Sequence, residues 1–205
     1  MVKNLEIDNM HLDGGLLCLD FINTVHSRHE ESVRDYLFGI HDLIHWAKRL
    51  ELIDAKTEKR LTAEAGNQPK KSAKFFSEAI AFRELLYIMF CTIIAGKKIP
   101  LTELAKYNKM LKAYFPYLQI KQSNKGFEEE WMLEEDNFKR LLAPILNSSY
   151  ETLLSDKLGR IKECPSPDCG WIFYDSTKNG KRKWCNMKTC GSKIKALEWY
   201  YRQKT

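Results

Sequence analysis

The chain lacks the segments that would give it a membrane or secretory address. Its longest apolar run in 205 residues is LLYIMFCTIIA, Leu85 to Ala95, too short to cross a bilayer and suited to a buried helix. The opening MVKNLEIDNMHLDGG is polar and acidic, which excludes a secretory signal at this position. Internal repeats and low-complexity tracts are missing, which excludes a repeat architecture. Also missing are G-x-S-x-G, a Walker-type loop and a dinucleotide fingerprint. A zinc deaminase would need H-x-E with P-C-x-x-C and an open coordination position, and the chain has neither. These absences predict a cytoplasmic protein with no membrane partner that is not an enzyme.

Cysteine is scarce until the last fifth of the chain. Cys18 and Cys91 sit in apolar runs and read as core residues. The other four lie in CPSPDCGWIFYDSTKNGKRKWCNMKTC, as Cys164-x4-Cys169 and Cys185-x4-Cys190. Each short pair can supply two vertices of a tetrahedron, and four thiolates close the shell of one structural Zn2+. Two disulfides are the alternative, which a reducing compartment opposes. The segment between the pairs suits a fold-back, with WIFY as a strand, Asn179-Gly180 as a turn and KRKW returning. GSKIKALEWYYRQ is then helical. A knuckle, a hairpin and a helix carrying the last ligand make a treble-clef-like module.

Charge divides the chain at the same place. The net charge is +6, but residues 157–205 carry twelve Lys and Arg against four acids, leaving residues 1–156 at −2. A near-neutral body with a basic tail is the footprint of an appended polyanion-binding module. Its candidate phosphate contacts are Lys178, Lys181, Arg182, Lys183, Lys188, Lys193 and Lys195. Trp171, Tyr174 and Trp184 lie among them and are expected to pack around the metal, with contact to bases as the alternative.

Residues 1–156 read mostly as helix. LLCLDFINTV (16–25), GIHDLIHWAKRLELI (39–53), SEAIAFRELLYIMFCTIIAG (77–96), LTELAKYNKMLKAYF (101–115) and FKRLLAPILNSSYETLLSD each carry helical periodicity. AEAGNQPKK (63–71) reads as a loop, and residues 117–122 and 127–133 as a hairpin about SNKG. The expected class is mainly α (α+β): a helical domain with a small hairpin over 1–156 and a zinc module over 157–205. Asp20, Asn23, Thr24 and Arg83 are polar residues in apolar helices. They read either as an internal network with Asp20 near Arg83, or as a pocket for a small-molecule signal. His26-x2-His29 and His41-x3-His45 are weaker metal candidates, with no acidic or cysteine partners at clear spacing.

WIFYDST (171–177) and RKWCNMKTCG (182–191) fit W-x-F-x-D-x-[ST] and R-x-W-C-x-M-x-x-C-G, so the module resembles the CGNR zinc-finger family of bacterial transcription regulators. LDFINTV (19–25) and FRELLY (82–87) are similar to signatures of the ABATE domain, that family's N-terminal partner. The resemblance covers essentially the whole chain. It implies zinc on Cys164, Cys169, Cys185 and Cys190, DNA as partner, and a sensing or interaction role for residues 1–156. A homodimer would suit paired half-sites. The eponymous tetrad reads CGSK here, Cys190 to Lys193, and lysine lacks the planar fork of arginine. The rival readings are an adaptor that binds a protein instead of nucleic acid, an RNA-binding module, and an enzyme with a site around Asp20, Asn23 and Arg83.

Overall fold

The computed structural model describes residues 6–28, 33–124 and 126–203. His29 and Lys125, which figure in the expectations above, lie outside them. Among the described residues there are seven α-helices and three two-stranded antiparallel sheets. In chain order these are α1 (Leu17–Ile22), β1 (Val25–His26), β2 (Arg34–Asp35), α2 (Ile40–Arg49), α3 (Ala55–Asn67), α4 (Pro69–Ile94) and α5 (Leu101–Tyr114). Then come β3 (Leu118–Ser123), β4 (Gly126–Trp131), α6 (Lys139–Leu154), β5 (Ile161–Glu163), β6 (Ile172–Tyr174) and α7 (Ser192–Arg202). No helix is long and apolar enough to cross a membrane among the described residues.

Local chemistry sets several boundaries. The Asp42 carboxylate accepts from Phe38 N and Gly39 N at 2.7 and 3.1 Å, closing the start of α2, and Asp54 accepts from Thr57 N at 2.7 Å to cap α3. α4 ends in a Schellman arrangement, with Gly96 N on Ile93 O and Lys97 N on Thr92 O. Two sequence expectations need correction. AEAGNQPKK is not a loop: α3 and α4 are separated by Gln68 alone, because Pro69 occupies the first position of α4, where its missing N–H costs nothing. The helix expected over 16–25 stops at Ile22. Thr24 Oγ1 donates back to Phe21 O at 2.8 Å and the chain leaves as β1.

α4 is the axis of the molecule. Its 26 residues span about 39 Å; it packs against α1, α2, α3 and α5, and Phe82, Leu86, Met89 and Phe90 are buried in the core. The β3–β4 hairpin stands where SNKG predicts it, with Ser123 opposite Gly126. Beyond α6 the core does not stop. Trp171, Ile172 and Phe173 are buried in the same cluster as Phe21 and Leu86, because a two-stranded β5–β6 sheet cannot bury its own inner face. The hairpin lies against α1 and α4, so apolar packing crosses the division expected at residue 156.

Candidate metal centre and nucleic-acid interface

The four cysteines converge from two local structures. Cys164 and Cys169 flank the turn between β5 and β6, held by Cys164 N on Trp171 O at 2.8 Å and Cys169 N on Ser166 O at 3.0 Å. Cys185 ends the following loop. Cys190 sits in a π-turn, Met187–Gly191, that runs directly into α7, and Asn186 caps this turn by accepting from Lys188 N at 2.9 Å. All four sulfurs lie within 4.8 Å of one another, and Cys185 Sγ is 3.6 Å from both Cys169 Sγ and Cys190 Sγ. A tetrahedron with zinc–sulfur bonds of about 2.3 Å has edges of about 3.8 Å, so the donor set fits one structural zinc ion. Without a metal the cluster shares its protons: hydrogen bonds from Cys169 and Cys185 hold the Cys164 thiol down, and their bonds to Cys164 push those two thiols up, so zinc binding must displace protons from Cys169 and Cys185. With every vertex a thiolate, zinc supplies folding energy and leaves no position for a reacting group.

Gly191 of the tetrad is fixed by packing. A Cβ there would run into Met187 Sδ and lie 2.9 Å from Trp184 Cδ1. Ser192 Oγ donates to Met187 O at 3.0 Å. Lys193 pairs with Asp168 of the first knuckle, bracing the two ligand pairs across the metal.

The loop between β6 and Cys185 differs from its expected form. KRKW makes no strand; β6 pairs with β5, with Ile161 opposite Tyr174 and Glu163 opposite Ile172. The return is organised by a buried carboxylate. Asp175 accepts from Lys162 Nζ at 2.7 Å, Thr177 N at 3.0 Å, Thr177 Oγ1 at 2.5 Å and Arg182 N at 2.9 Å. Burial alone would raise this carboxyl, but the hydrogen bonds outweigh it and hold it below the carboxylate range. Arg182 is spent on backbone carbonyls. Its guanidinium donates to the carbonyls of Trp184, Tyr174, Cys185 and Asp13, and lies 4.6 Å from the centre of the Phe173 ring. Sequence reasoning missed Asp175 and Lys162, although Asp175 is the acid of WIFYDST.

The lysines separate into two places. Lys181, Lys183, Lys188 and Lys195 line one groove of about 870 Å3, together with Thr177, Asn179 and Asn186. Lys178 is exposed on the same loop. Lys193 lies elsewhere, on a groove of about 320 Å3 with Asp168, His11 and His26. The basic groove has one acid on its wall, Asp13, whose carboxylate accepts from Asn186 Nδ2 at 3.0 and 3.1 Å.

Asp20, Asn23, Thr24 and Arg83 are all buried and serve two distinct networks. Arg83 makes a two-pronged pair with Asp35, at 2.9 and 2.8 Å, and also donates to Thr24 Oγ1 at 3.0 Å and Glu84 at 2.9 Å. The expected proximity of Asp20 to Arg83 is replaced by a different partner. Asp20 accepts from Gly14 N at 2.9 Å, where a glycine Cβ would sit only 2.8 Å from Asp20 N. Asn23 turns to the zinc module, donating to Ile172 O at 2.8 Å and accepting from Ile172 N at 2.9 Å, so its amide stands in for a neighbouring strand. Trp171 Nε1 donates to Val25 O at 2.9 Å, and Tyr174 N donates to Gly14 O at 2.8 Å. The LDFINT segment is therefore the seam between the helices and the metal module. The grooves described here are lined by other residues.

Burial, added to the charge of Asp13 and opposed by the Gly14 N–H, raises Asp20 from 3.8 to about 6. Between these values the folded state binds the proton that the unfolded state releases. Its stabilising share is thus complete below pH 3.8 and is lost as pH rises through about 6, on the order of 3 kcal/mol. Asp20→Asn is expected to flatten the dependence of unfolding free energy on pH over this window, in urea titrations at fixed pH steps. A slope equal to that of the unaltered protein would show that another group titrates there.

Two family models match the chain: the CGNR zinc finger over residues 160–203, and ABATE, described as "Putative stress-induced transcription regulator", over residues 15–156. A search of curated proteins finds no match.

Proposed function

Because the chain belongs to the ABATE family and closes with a CGNR zinc finger, we propose that it is a bacterial, cytoplasmic transcription regulator that holds DNA in the basic groove of its zinc module. The carrying observation is the convergence of Lys181, Lys183, Lys188 and Lys195 on one groove, with amide and hydroxyl side chains between them. Lysines and neutral donors in one concavity suit the phosphate backbone, which fixes affinity and position without specifying sequence. The structural zinc makes the groove rigid. Arg182 and Asp175 shape the loop from within, so the phosphate contacts fall to the lysines alone.

The residues 1–156 act in this reading as the regulatory part. Asp13 and Gly14 run from the helices to the rim of the groove, and Asn23 clamps β6 beneath it. A small-molecule signal or protein contact that shifts α1 would move the groove wall through these bonds.

Fluorescence anisotropy of a labelled random duplex, titrated across a salt series, tests the reading. Four lysine–phosphate contacts predict log K against log salt with a slope near about −3.6, and each Lys→Ala exchange among Lys181, Lys183, Lys188 and Lys195 should flatten it by about 0.9. If the full chain fails to bind duplex even at low salt, the reading is wrong and the groove serves an acidic protein partner.

A further inference from the structure

α7 has no buried residue among its 11, yet it carries Leu197, Trp199, Tyr200 and Tyr201 at 42, 63, 47 and 66% exposure. Its first turn is fastened by Ile194 packing against the core, Ser192 bonding the π-turn and Lys193 pairing with Asp168. The exposed aromatics lie on the turns that follow. Clustered exposed aromatics on so small a module mark a surface that something covers. Here the cover must also accept cations, because Lys195 and Arg202 stand four residues before and three after Trp199, on one face of the helix. Lys195 belongs to α7 and to the wall of the basic groove at once, so this face continues the groove outward.

We infer that α7 enters the major groove of duplex DNA and that its Trp199–Arg202 face reads base edges, while Lys195 and the other groove lysines hold the flanking phosphates. The inference rests on the DNA-binding reading above and adds where sequence is read. A helix of about 10–12 Å diameter matches a major groove about 12 Å wide. Arg202 has the donors for guanine O6 and N7, and Trp199 offers an apolar edge to thymine methyl groups. Single strands and A-form RNA fit less well. Tyr200 and Tyr201 meet edge to face, with ring centres 5.7 Å apart and planes at 71°, so they make no common flat stacking platform. The A-form major groove is also too deep and narrow for a helix.

The test selects duplexes from a randomised library on the full chain and compares the best selected sequence with random duplex. The double variant Trp199→Ala, Arg202→Ala is expected to keep its zinc and its helical circular dichroism. Its preference for the selected sequence should fall at least tenfold. Lys181→Ala with Lys183→Ala should do the opposite, weakening both duplexes together. An unchanged preference in the α7 variant overturns the inference while leaving the DNA-binding reading intact. So does an equal loss on selected and random duplex, or selection that succeeds only with single strands. Failure of the unaltered chain to bind any duplex overturns the underlying reading instead, and the two failures are thereby told apart.

Discussion

Cys185→Ser is expected to strip the protein of zinc and to unfold residues 157–205. Cys185 is buried and its sulfur stands 3.6 Å from both Cys169 and Cys190, so no other donor can reach its vertex. A structural four-ligand zinc contributes about 10–16 kcal/mol to folding in small modules, which rivals the whole stability of an ordinary domain, about 5–15 kcal/mol. From sequence alone the loss would be expected to stop at the module and spare the helices. The shared core argues otherwise, because Ile172 and Phe173 are completely buried against the helical side and Trp171 nearly so. Their departure would expose part of α1 and leave Val25 O and Asn23 without their partners. Metal analysis should find no bound zinc in the variant. The thermal midpoint followed by helical circular dichroism should fall by at least about 10 °C, at about 2–4 °C per kcal/mol for a chain of this size. A midpoint that does not move would show that residues 1–156 are self-sufficient.

Asn23→Leu should cost about 2–6 kcal/mol, a large effect for one isosteric side chain. Asn23 is completely buried, and its amide satisfies both the N–H and the C=O of Ile172. Leucine would leave both backbone groups buried and unpaired, at about 1–3 kcal/mol each. Asn23→Asp is a sharper probe. It keeps the acceptor for Ile172 N–H but aims a carboxylate at Ile172 O, so it should be tolerated better at acid pH, where the carboxyl is protonated and can donate. Urea titrations of both variants measure this. A loss below about 1 kcal/mol for the leucine variant would mean that the seam relaxes and the pairing is dispensable. The same variants should show metal binding less affected than stability, because Asn23 touches β6 and none of the four ligands.

What could be read in the sequence follows the range of the interaction that creates it. The helices α2, α4 and α5 follow from periodicity, and the β3–β4 hairpin from SNKG, since each depends on neighbours a few residues away. The metal site was legible because two short cysteine pairs carry their geometry in their spacing. The ends of α3 and α4 were misread because Gly66 and Pro69 signal a break by composition, whereas a glycine inside a helix and a proline at its first position are both tolerated. The KRKW return was misread because its form depends on Asp175 and Arg182, whose partners include residues as distant as Lys162 and Asp13. A basic residue looks the same in sequence whether its donors face solvent or four carbonyls.

The sequence by itself determined the class of fold, the four zinc ligands and the basic character of the tail, because periodicity, ligand spacing and net charge are properties of short segments. Only the tertiary structure decided which cations share a groove, that Arg182 and Lys193 are bound within the protein, and that Asn23 and Gly14 join helices to metal site. These depend on hydrogen bonds spanning up to 173 residues of chain. Such bonds are chosen when the β5–β6 sheet seeks cover for its apolar face, and no local pattern announces them.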